Sequence, residues 1–408
     1  MKEGFQLLLI AVPFFVVSIG LEVYLDRMNG WRYYNSLKDS VSNLYIGLGE
    51  VLLSLVIKGA MIFLYDIVFK NASLYTFPDN FITGFVFFII FDFIYYWAHR
   101  LGHEVNIMWA GHVPHHSSEY FNLTVALRQP WFQVLTTWFL FLPLAILGFS
   151  TRVLVIVSAL DILYQFWIHT PYIGKMPRWF EFIFNTPSHH RVHHGRQKKY
   201  LDKNHGGVLI IWDRLFGTFQ EEEETPDYGI TQPLHSFSPF RANFHHFGAI
   251  VRALPRAFAS GKVSAAFLAS PAAFNQHFPD TNSAPSPSED AWASKSMGAF
   301  IIWHLVHALT QGIWLMGNAS ALPQNYVLMT LGFLMAHIAG AGFILDKKPI
   351  ARIWENFRLT GVMVLGSALL IFRPELPLPG SFWAGVYLIV FAVISWAWFQ
   401  ASSKPRLA

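Results

Sequence analysis

Three short clusters of histidine carry most of the chemistry in this sequence. They read HRLGH at residues 99 to 103, HVPHH at 112 to 116 and HRVHH at 190 to 194, in a chain that contains no cysteine. Most of these histidines are three or four positions from another, a spacing that places side chains on one face of a helix. The eight histidines are His99, His103, His112, His115, His116, His190, His193 and His194.

Imidazole nitrogens at this spacing are typical metal ligands. They suit iron, zinc, copper or nickel, whereas magnesium and calcium bind oxygen ligands. A four-coordinate ion such as zinc uses only four ligands. Eight nitrogen donors therefore predict two ions side by side, and the alternative is one site with surplus histidines. The absence of cysteine excludes thiolate metal sites and thiol nucleophiles.

Three carboxylates near the clusters are candidates for catalytic roles. Asp92 lies on the same helix face as the first cluster, and we expect it to orient a ligand imidazole by accepting its second N–H. The alternative is a pairing with a neighbouring helix. Glu104 and Glu119 are expected to bridge metal ions or to hold imidazoles. Their alternative is helix capping or a salt bridge to Arg100 or Arg128.

A ninth ligand is predicted outside the clusters. His169 follows Asp161 and Gln165 at a spacing of four each time, so all three share a helix face. We expect His169 to bind metal, with the other two side chains behind it. His189 directly precedes the third cluster and points about 100° away from its neighbour on a helix. It is expected behind the ligands rather than among them.

The composition predicts an all-α, polytopic integral membrane protein. Hydrophobic residues make up 53% of the chain and charged residues 13%, against about a quarter charged in ordinary soluble proteins, and the mean hydropathy is +0.36. About nine transmembrane helices are predicted, since a span needs roughly 20 apolar residues. They lie near 5–23, 44–69, 81–98, 132–149, 153–169, 299–317, 325–345, 359–372 and 382–400. The pair from 132 to 169 has an alternative, a hairpin that enters from one side.

Basic loops predict the side of the membrane on which the clusters lie. Loops 24–42 and 346–358 carry several Lys and Arg, whereas 318–324 carries none, and such residues favour the cytoplasmic side. With nine spans, every histidine cluster then faces the cytoplasm. The net charge of +4 suits a surface that meets anionic lipid. No nucleic-acid motif is present, so the bilayer and not nucleic acid is the expected partner.

The sequence divides into three parts. Residues 1–225 hold five predicted spans and every cluster, and 299–408 hold four more. Between them, 226–298 form a connector with a basic amphipathic stretch at 244–269, which is expected either at the lipid headgroups or packed as a surface helix. A Pro/Ser-rich linker follows at 279–290. Of the other histidines, His205 is expected in a loop. Intramembrane hydrogen bonds are expected for His304, His307 and His337, with a role in a substrate channel as the alternative.

A histidine-rich pair of metal ions at the bilayer surface suits one reaction, the activation of O₂ next to an alkyl or acyl chain. Iron performs it and zinc does not, because zinc has no redox chemistry. Two iron ions, O₂ and a lipid substrate are therefore expected. A non-enzymatic metal-binding or transport protein is the alternative. It is disfavoured because the clusters lie at the membrane edge, whereas transporter sites lie near mid-depth.

Four segments resemble the fatty acid hydroxylase and sterol desaturase superfamily of membrane di-iron oxygenases. They are HRLGHE, HVPHHSSEYFNLTVALRQ, WIHTP and PSHHRVHHGR, and the resemblance covers roughly residues 40 to 225. It implies that the eight cluster histidines bind two irons and that Glu104 is needed for activity. Pro114 departs from the family pattern, which usually has a helix-compatible residue there.

Within the superfamily, one segment of this sequence is most similar to the branch that cleaves ether lipids. It reads NTPSHHRVHHGRQKKYLDKNHGGVLIIWDRLFGTF. This resemblance implies hydroxylation of the ether-linked carbon of an alkylglycerol with O₂ and tetrahydrobiopterin. The resulting hemiacetal breaks into a fatty aldehyde and glycerol. No sequence feature marks a pterin site, so the electron donor rests on the resemblance. The alternative is a hydroxylase or desaturase of a fatty acyl, sterol or hopanoid-type chain, fed by an electron-transfer protein.

Overall fold

The computed structural model describes residues 2–279, 295–371 and 381–402, and it is helical throughout, as predicted. Two isolated β-bridges and no named strand occur among these residues. The predicted linker lies outside the described residues from residue 280 onward. The helices are α1 Lys2–Asn29, α2 Leu37–Ser54, α3 Ile57–Ala72, α4 Phe81–Glu104, α5 Asn106–His116, α6 Leu123–Ala126, α7 Gln133–Thr137, a 3₁₀ turn Trp138–Phe141, α8 Leu142–Leu147, α9 Thr151–Trp167, α10 Arg178–Ile183, α11 Pro187–His193, α12 Ile211–Phe216, α13 Pro239–Ala259, α14 Val263–Leu268, α15 Pro271–His277, α16 Lys295–Asn318, α17 Gln324–Leu345, α18 Ala351–Ile371 and α19 Ser381–Ser402.

Several helices are long and apolar enough to cross a membrane, so the chain is a multi-pass membrane protein. Four qualify among the described residues, namely α4, α16, α17 and the 385–402 part of α19, and α2 with α3 form a fifth candidate bent by 41°. The apolar stretch at 132–149 is divided among α7, the 3₁₀ turn and α8, and α9 has only 17 residues. With 17 residues, α9 is at the lower limit of length for a transmembrane helix. Among the residues that the structure describes, helix length and composition therefore support four or five spans.

The chain folds into two compact units. The first comprises residues 1–234 with 241–284, and the second comprises 235–240 with 285–408. In the first unit an aromatic core joins α3, α4, α8 and α9, around residues such as Tyr65, Phe87 and Phe149. This packing holds the membrane half of α4, whose other end carries the first histidine cluster.

A glycine closes the turn between α8 and α9. Gly148 has φ of +109°, and a Cβ there would lie 1.8 Å from the carbonyl oxygen of Tyr75. Only glycine satisfies both the backbone angle and the close approach. The turn is therefore specified by sequence, and it directs α9 back along α4.

The amphipathic stretch in the connector packs inside the first unit. As helix α13 it buries small and aliphatic residues such as Ile250, Ala253 and Ala257 against α5, α14 and α15. Asn106, at the start of α5, donates to the Ala266 carbonyl at 2.8 Å. The stretch is therefore a packed helix, and its expected position at the lipid headgroups stays a prediction. It supports α5, which carries the second histidine cluster.

The second unit contains a buried polar cluster between its helices. Glu355 accepts two hydrogen bonds from Arg358 at 2.6 and 2.9 Å, and Arg358 also contacts His337 Nδ1 at 2.9 Å. His337 in turn contacts the His304 carbonyl at 3.0 Å, and His307 contacts the Tyr387 hydroxyl at 2.8 Å. The rings of His337 and His307 form these contacts, whereas His304 contributes its backbone carbonyl and its ring lies 3.5 Å from Glu355. Hydrogen bonding of these histidines inside a membrane stays a prediction.

Candidate metal centre

Nine buried histidines form two adjacent groups, and they are the nine predicted as ligands. One nitrogen from each member of a group lies within 4.8 Å of the others in that group. The first group has five members, His99, His103, His112, His116 and His193, and the second has four, His115, His169, His190 and His194. The groups are neighbours, since the rings of His116 and His194 are 4.5 Å apart.

Helical geometry explains how the second and third clusters divide, whereas both histidines of the first cluster lie in the five-membered group. Helix α5 sends His112 and His116, which are four residues apart, to the five-membered group, while His115 lies on another side of the helix and joins the other group. The third cluster divides in the same way at the end of α11, where His193 separates from His190 and His194. Both helices therefore contribute ligand atoms to both groups. Pro114 lies inside α5 without breaking it.

Carbonyl oxygens determine which ring nitrogen carries the proton. A carbonyl oxygen can only accept, so an Nδ1 beside it must donate, and the Nε2 of a neutral ring is then a bare lone pair. Five of the nine histidines have such a contact at Nδ1. The pairs are His99 with the His205 carbonyl (2.8 Å), His193 with the Lys203 carbonyl (2.8 Å), His112 with Gln133 Oε1 (3.1 Å), His115 with the Arg128 carbonyl (3.2 Å) and His169 with the Gln165 carbonyl (2.7 Å).

In the five-membered group these lone pairs face one another. His112 Nε2 lies 3.1 Å from His99 Nε2 and 3.0 Å from His116 Nε2. Both His99 and His112 donate through Nδ1, so neither Nε2 of that pair carries a proton. The Nε2 atoms of His103 and His193 are buried and have no hydrogen-bond partner in the described part of the chain. Converging lone pairs repel unless a cation lies between them.

The four-membered group has the same arrangement. His190 Nε2 lies 2.9 Å from His169 Nε2 and 3.1 Å from His194 Nε2, and His115 Nε2 lies 3.3 Å from His169 Nε2. Two nitrogen ligands about 2.1 Å from one ion and at right angles are about 3 Å apart. Both groups therefore fit a metal ion. Five donors in one group also exceed the four of a tetrahedral zinc site.

Burial favours the neutral form of His112 and His190. It lowers the pKa of His112 to about 3, helped by the charge of His103 when protonated, and it holds the pKa of His190 well below its ordinary value. The ordinary pKa of histidine is about 6.5. At neutral pH both rings therefore have a free lone pair, the form that binds metal.

The predicted contact between Asp92 and an imidazole is not observed. Asp92 Oδ1 accepts from the backbone N–H of Val208 at 2.8 Å, and Oδ2 accepts from the N–H of Leu209 at 3.2 Å and the Trp212 indole at 2.8 Å. His99 uses its Nδ1 on a backbone carbonyl instead. Asp92 therefore anchors the segment that begins α12, which corresponds to the structural alternative.

The side chains expected behind His169 point elsewhere. Gln165 contacts His169 through its backbone carbonyl, while its side chain donates to Asp161 Oδ2 at 2.6 Å and accepts from the Tyr95 hydroxyl at 2.8 Å. The Asp161 carboxylate is therefore bound to Gln165 rather than to the His169 ring. The spacing of four correctly indicated a shared helix face, but His169 lies beyond the last residue of α9, where its ring turns toward α11.

Glu104 and Glu119 lie outside both histidine groups. Glu104 pairs with Arg100 at 2.8 Å, and Glu119 lies 3.9 Å from Arg196. The pair of Glu104 with Arg100 corresponds to the predicted alternative, a salt bridge. Glu119 has a different partner from the predicted Arg128. His189 is buried beside Phe219, with ring centroids 5.3 Å apart, and also lies outside the groups.

A loop that sequence reasoning did not connect to the site orients three imidazoles. Residues 202 to 205 supply the Lys203 carbonyl to His193, the His205 carbonyl to His99, and the Asp202 carboxylate to His103 at 3.5 Å. Asp202 and Asn204 have positive φ, at +56° and +57°. The only signal for such a loop was an Asp and an Asn before two glycines, since both tolerate this backbone conformation. His205 lies in this loop, as predicted, but it is fully buried.

Asn204 stabilises the loop, and its replacement is expected to disturb the five-membered group. Its Nδ2 donates to the carbonyls of His189 and Gln220 at 3.0 and 2.8 Å, and its Oδ1 accepts from the Gln220 N–H at 2.9 Å. We expect Asn204→Ala to lower the free energy of unfolding by about 2 to 4 kcal/mol, from lost hydrogen bonds and a strained φ. Asn204→Gly should cost about 1 kcal/mol less, because glycine accepts the φ. Thermal unfolding in detergent, with metal analysis, measures both. Wild-type stability in Asn204→Ala would contradict this role.

A cavity of about 160 Å³ adjoins the five-membered group. Its lining combines aromatic and aliphatic side chains of the membrane helices with a few polar ones, and includes His99 itself. The residues are Phe91, Tyr95, Ala98, His99, Gln133, Thr137, Phe141, Ser158, Asp161 and Ile162. Its lining is largely apolar with a few polar groups, as in ligand sites, although its volume is below the usual range of about 300 to 1,000 Å³.

Comparison with known proteins agrees with this geometry. Residues 84–218 match the fatty acid hydroxylase family model, a range that includes all nine histidines. Alkylglycerol monooxygenase of Homo sapiens is 36% identical over 87% of this chain and 81% of the human protein. The Xenopus tropicalis alkylglycerol monooxygenase is 35% identical over 85% of this chain and 79% of its own length. Ornithine lipid hydroxylase OlsE of Rhizobium tropici is 31% identical over 35% of this chain and 44% of that protein.

No solved structure matches the chain. The family assignment therefore rests on sequence similarity that extends through both compact units, together with the two histidine groups. An identity of 36% over most of both chains indicates common descent and not merely a shared motif. The chain belongs to the family of the alkylglycerol monooxygenases, contains a fatty acid hydroxylase domain over residues 84–218, and is a membrane-bound lipid monooxygenase.

Proposed function

We infer that this enzyme cleaves the O-alkyl bond of alkylglycerol ether lipids and uses two iron ions. The observation that supports it best is the convergence of nine histidine nitrogens on two adjacent positions. The relatives that cover most of the chain are named for the same substrate. The nine histidines are the proposed ligands, with Asp92 and Glu104 as structural supports nearby. The division into an oxygenase domain at 1–225, a connector at 226–298 and a C-terminal domain at 299–408 is part of this proposal.

The reaction inserts one oxygen atom into a C–H bond beside the ether oxygen. Iron, when bound, supplies the redox chemistry that reduces O₂, which zinc lacks. The other oxygen atom leaves as water, with two electrons and two protons from a donor. The hydroxylated carbon is a hemiacetal, so its bond to the ether oxygen breaks to give a fatty aldehyde and a free glycerol hydroxyl. The products therefore balance without any further oxidant.

The protein's own residues supply position and shielding. The carbonyl contacts at Nδ1 hold five imidazoles in one tautomer and orientation, which reduces the reorganisation needed during the reaction. Phe91, Phe141 and Ile162 form the apolar part of the cavity beside His99. An alkyl chain bound there would exclude water from the cavity. The substrate carbon would then react beside the buried histidines, in a site without competing solvent.

The topology proposed for this enzyme has nine membrane spans, with the histidine groups on the cytoplasmic side. Support comes from the basic loops at 24–42 and 346–358, since Lys and Arg in short loops favour that side. Reduced tetrahydrobiopterin is the proposed electron donor, by resemblance to the ether-lipid branch. A soluble donor such as a pterin would reach a site on this side directly.

Turnover of purified enzyme tests the proposal. The iron-loaded protein in lipid nanodiscs is given a hexadecyl glycerol ether, O₂ and tetrahydrobiopterin, and fatty aldehyde is measured by mass spectrometry. We expect aldehyde only when all three are present. A ferredoxin-type donor with its reductase, without pterin, is the control for the donor. Intact iron without aldehyde from any ether lipid would exclude the proposed substrate.

A second candidate is hydroxylation of another lipid class. The similarity to ornithine lipid hydroxylase OlsE, at 31% identity over 149 residues, supports it. Incubation of membranes that contain the enzyme with a total lipid extract separates the two candidates. Loss of ether lipids supports the first, and a mass gain of one oxygen on an acyl lipid supports the second.

A further inference from the structure

Two short helices beside the metal centre carry apolar side chains on their outer side, and the first of them is α10. Its Trp179 and Phe182 are 69% and 60% exposed. Glu181 turns inward instead, where its Oε1 accepts from Ser188 Oγ at 2.7 Å and from Thr186 Oγ1 at 3.2 Å. A helix that faces water has the opposite arrangement, with its apolar residues toward the core. The polarity of α10 is therefore inverted.

Helix α12 has the same inverted polarity. Leu215 is 68% exposed, and Phe216 is exposed as well. Asp213 is fully buried, and its two oxygens accept from the backbone N–H groups of His205 and Gly206 at 2.8 and 2.7 Å. Apolar surface is unfavourable in water. The same inversion in both helices therefore indicates an apolar environment on their outer side.

Arg214 joins the two helices. Its Nη2 donates to the Glu181 carbonyl at 3.1 Å and its Nε to the Phe182 carbonyl at 3.2 Å, and its guanidinium carbon lies 5.1 Å from the centre of the Phe182 ring. The backbone N–H of Ile210, directly before α12, donates to the Ile183 carbonyl at 2.9 Å. The helices are therefore neighbours. Their exposed apolar side chains form the α10–α12 surface, which consists of Trp179, Phe182, Ile183, Leu215 and Phe216.

The α10–α12 surface continues onto a helix that is apolar enough to cross the membrane. The ring centroid of Phe216 lies 5.0 Å from that of Trp97 and 6.2 Å from that of Phe93, both on α4. Lipid around this end of α4 is therefore next to the surface. On α10, the exposed Arg178 directly precedes Trp179. Tryptophan is enriched at membrane interfaces, and arginine extends its charge from there to the lipid headgroups.

We propose that the α10–α12 surface inserts into the lipid leaflet next to the metal centre without crossing the membrane. Each helix has six residues and is about 9 Å long, far less than a bilayer core of about 30 Å. The outer side chains contact acyl chains, as in other interfacial helices. The inward carboxylates connect the surface to the metal centre, because Glu181 bonds the start of α11 and Asp213 bonds the 202–205 loop. This inference does not depend on which lipid the enzyme oxidises.

Spin labels test the depth of the surface directly. The chain contains no cysteine, so a single introduced cysteine carries a nitroxide label at that position alone. The variants are Trp179→Cys, Phe182→Cys and Leu215→Cys, in full-length protein in vesicles of phosphatidylcholine and phosphatidylglycerol. Val86→Cys, at an exposed position of α4, is the membrane reference, and Glu223→Cys, whose side chain is 59% exposed in the acidic run, is the water reference.

Power saturation of the spin signal measures the accessibility of each label to O₂, which concentrates in hydrocarbon, and to a nickel chelate, which stays in water. We expect the ratio of O₂ to nickel accessibility at Trp179→Cys, Phe182→Cys and Leu215→Cys to exceed that at Glu223→Cys several-fold. It should not exceed the ratio at Val86→Cys, because a surface at the interface is shallower than a membrane helix. Circular dichroism and metal content check that each variant is folded.

Two results would overturn the inference. A ratio equal to that of Glu223→Cys at all labelled positions of the surface shows that it faces water. Low accessibility to both reagents shows that protein covers it, such as a second copy of the chain. The labelled positions are exposed and lie on both helices, so a variant that fails to fold leaves the others to decide.

Discussion

Replacement of His193 by alanine is expected to abolish turnover and to empty the five-membered histidine group. Within the described residues His193 Nε2 is buried without a partner, and its ring lies 4.4 Å from the ring of His99 and 4.7 Å from that of His116. Removal of the His193 ring leaves four nitrogen donors in this group. Water can enter the volume that the ring occupied. We expect activity to fall by at least about 100-fold, since even residues that merely support ligands are worth about 10- to 100-fold.

Metal analysis by mass spectrometry, together with aldehyde formation, checks this expectation. His189→Ala is the matched control, because His189 lies on the same helix and is buried but lies outside both groups. It should retain the wild-type metal content. A His193→Ala protein that keeps full metal content and turnover would show that His193 is not a ligand.

Replacement of Arg128 by methionine is expected to cause the largest loss of stability in the first unit. The fully buried guanidinium donates to the Pro114 carbonyl at 2.6 Å, to Ser117 Oγ at 2.7 Å and to Asn43 Oδ1 at 2.8 Å. It also faces the charge of buried Asp39. Methionine keeps the packing but leaves these acceptors and that carboxylate uncompensated. We expect a loss of roughly 3 to 5 kcal/mol in the free energy of unfolding.

Arg196→Met provides the comparison, because Arg196 forms a solvent-exposed pair with Asp227 at 2.8 Å. An exposed pair contributes at most about 1 kcal/mol. Thermal unfolding in the same detergent compares the variants. Arg128→Met should also lose metal from the four-membered group, since Arg128 holds the end of α5 and its carbonyl orients His115. Equal melting temperatures for the two variants would refute the structural role of Arg128.

The sequence predicted which histidines come together because their spacing is a local property. Residues three and four apart meet on any helix, whatever surrounds it. His169 was recoverable for the same reason, because it continues the face of Asp161 and Gln165. The nine residues of the two groups are therefore the nine that were predicted.

Predictions that depended on the direction of a side chain were less successful. Asp92 shares a helix face with His99, yet its carboxylate binds the backbone of residues 208 and 209, which are more than a hundred positions away in sequence. Spacing along one helix carries no information about which distant segment packs against it. The same limit applies to Gln165, whose side chain binds Asp161 rather than the His169 ring.

The fold of one apolar stretch shows another limit. Hydropathy counts apolar residues, but a stretch such as 132–149 is equally apolar whether it crosses the membrane or folds into short helices. Here it forms short pieces that end at Gly148. Leu144 and Ala145 of this stretch pack in one core with residues of α3 and α4, and hydropathy does not describe such contacts.

The sequence by itself determined the helical class, the membrane setting and the identity of the histidines, because helix periodicity and hydrophobic composition are encoded residue by residue. Only the tertiary structure decided how the histidines divide into two groups and which carbonyls direct their lone pairs. It also placed Asp161 in the wall of the cavity beside His99. These features arise where α4, α5, α9, α11 and the 202–205 loop meet. Their contacts join residues far apart in the chain, so no local pattern specifies them.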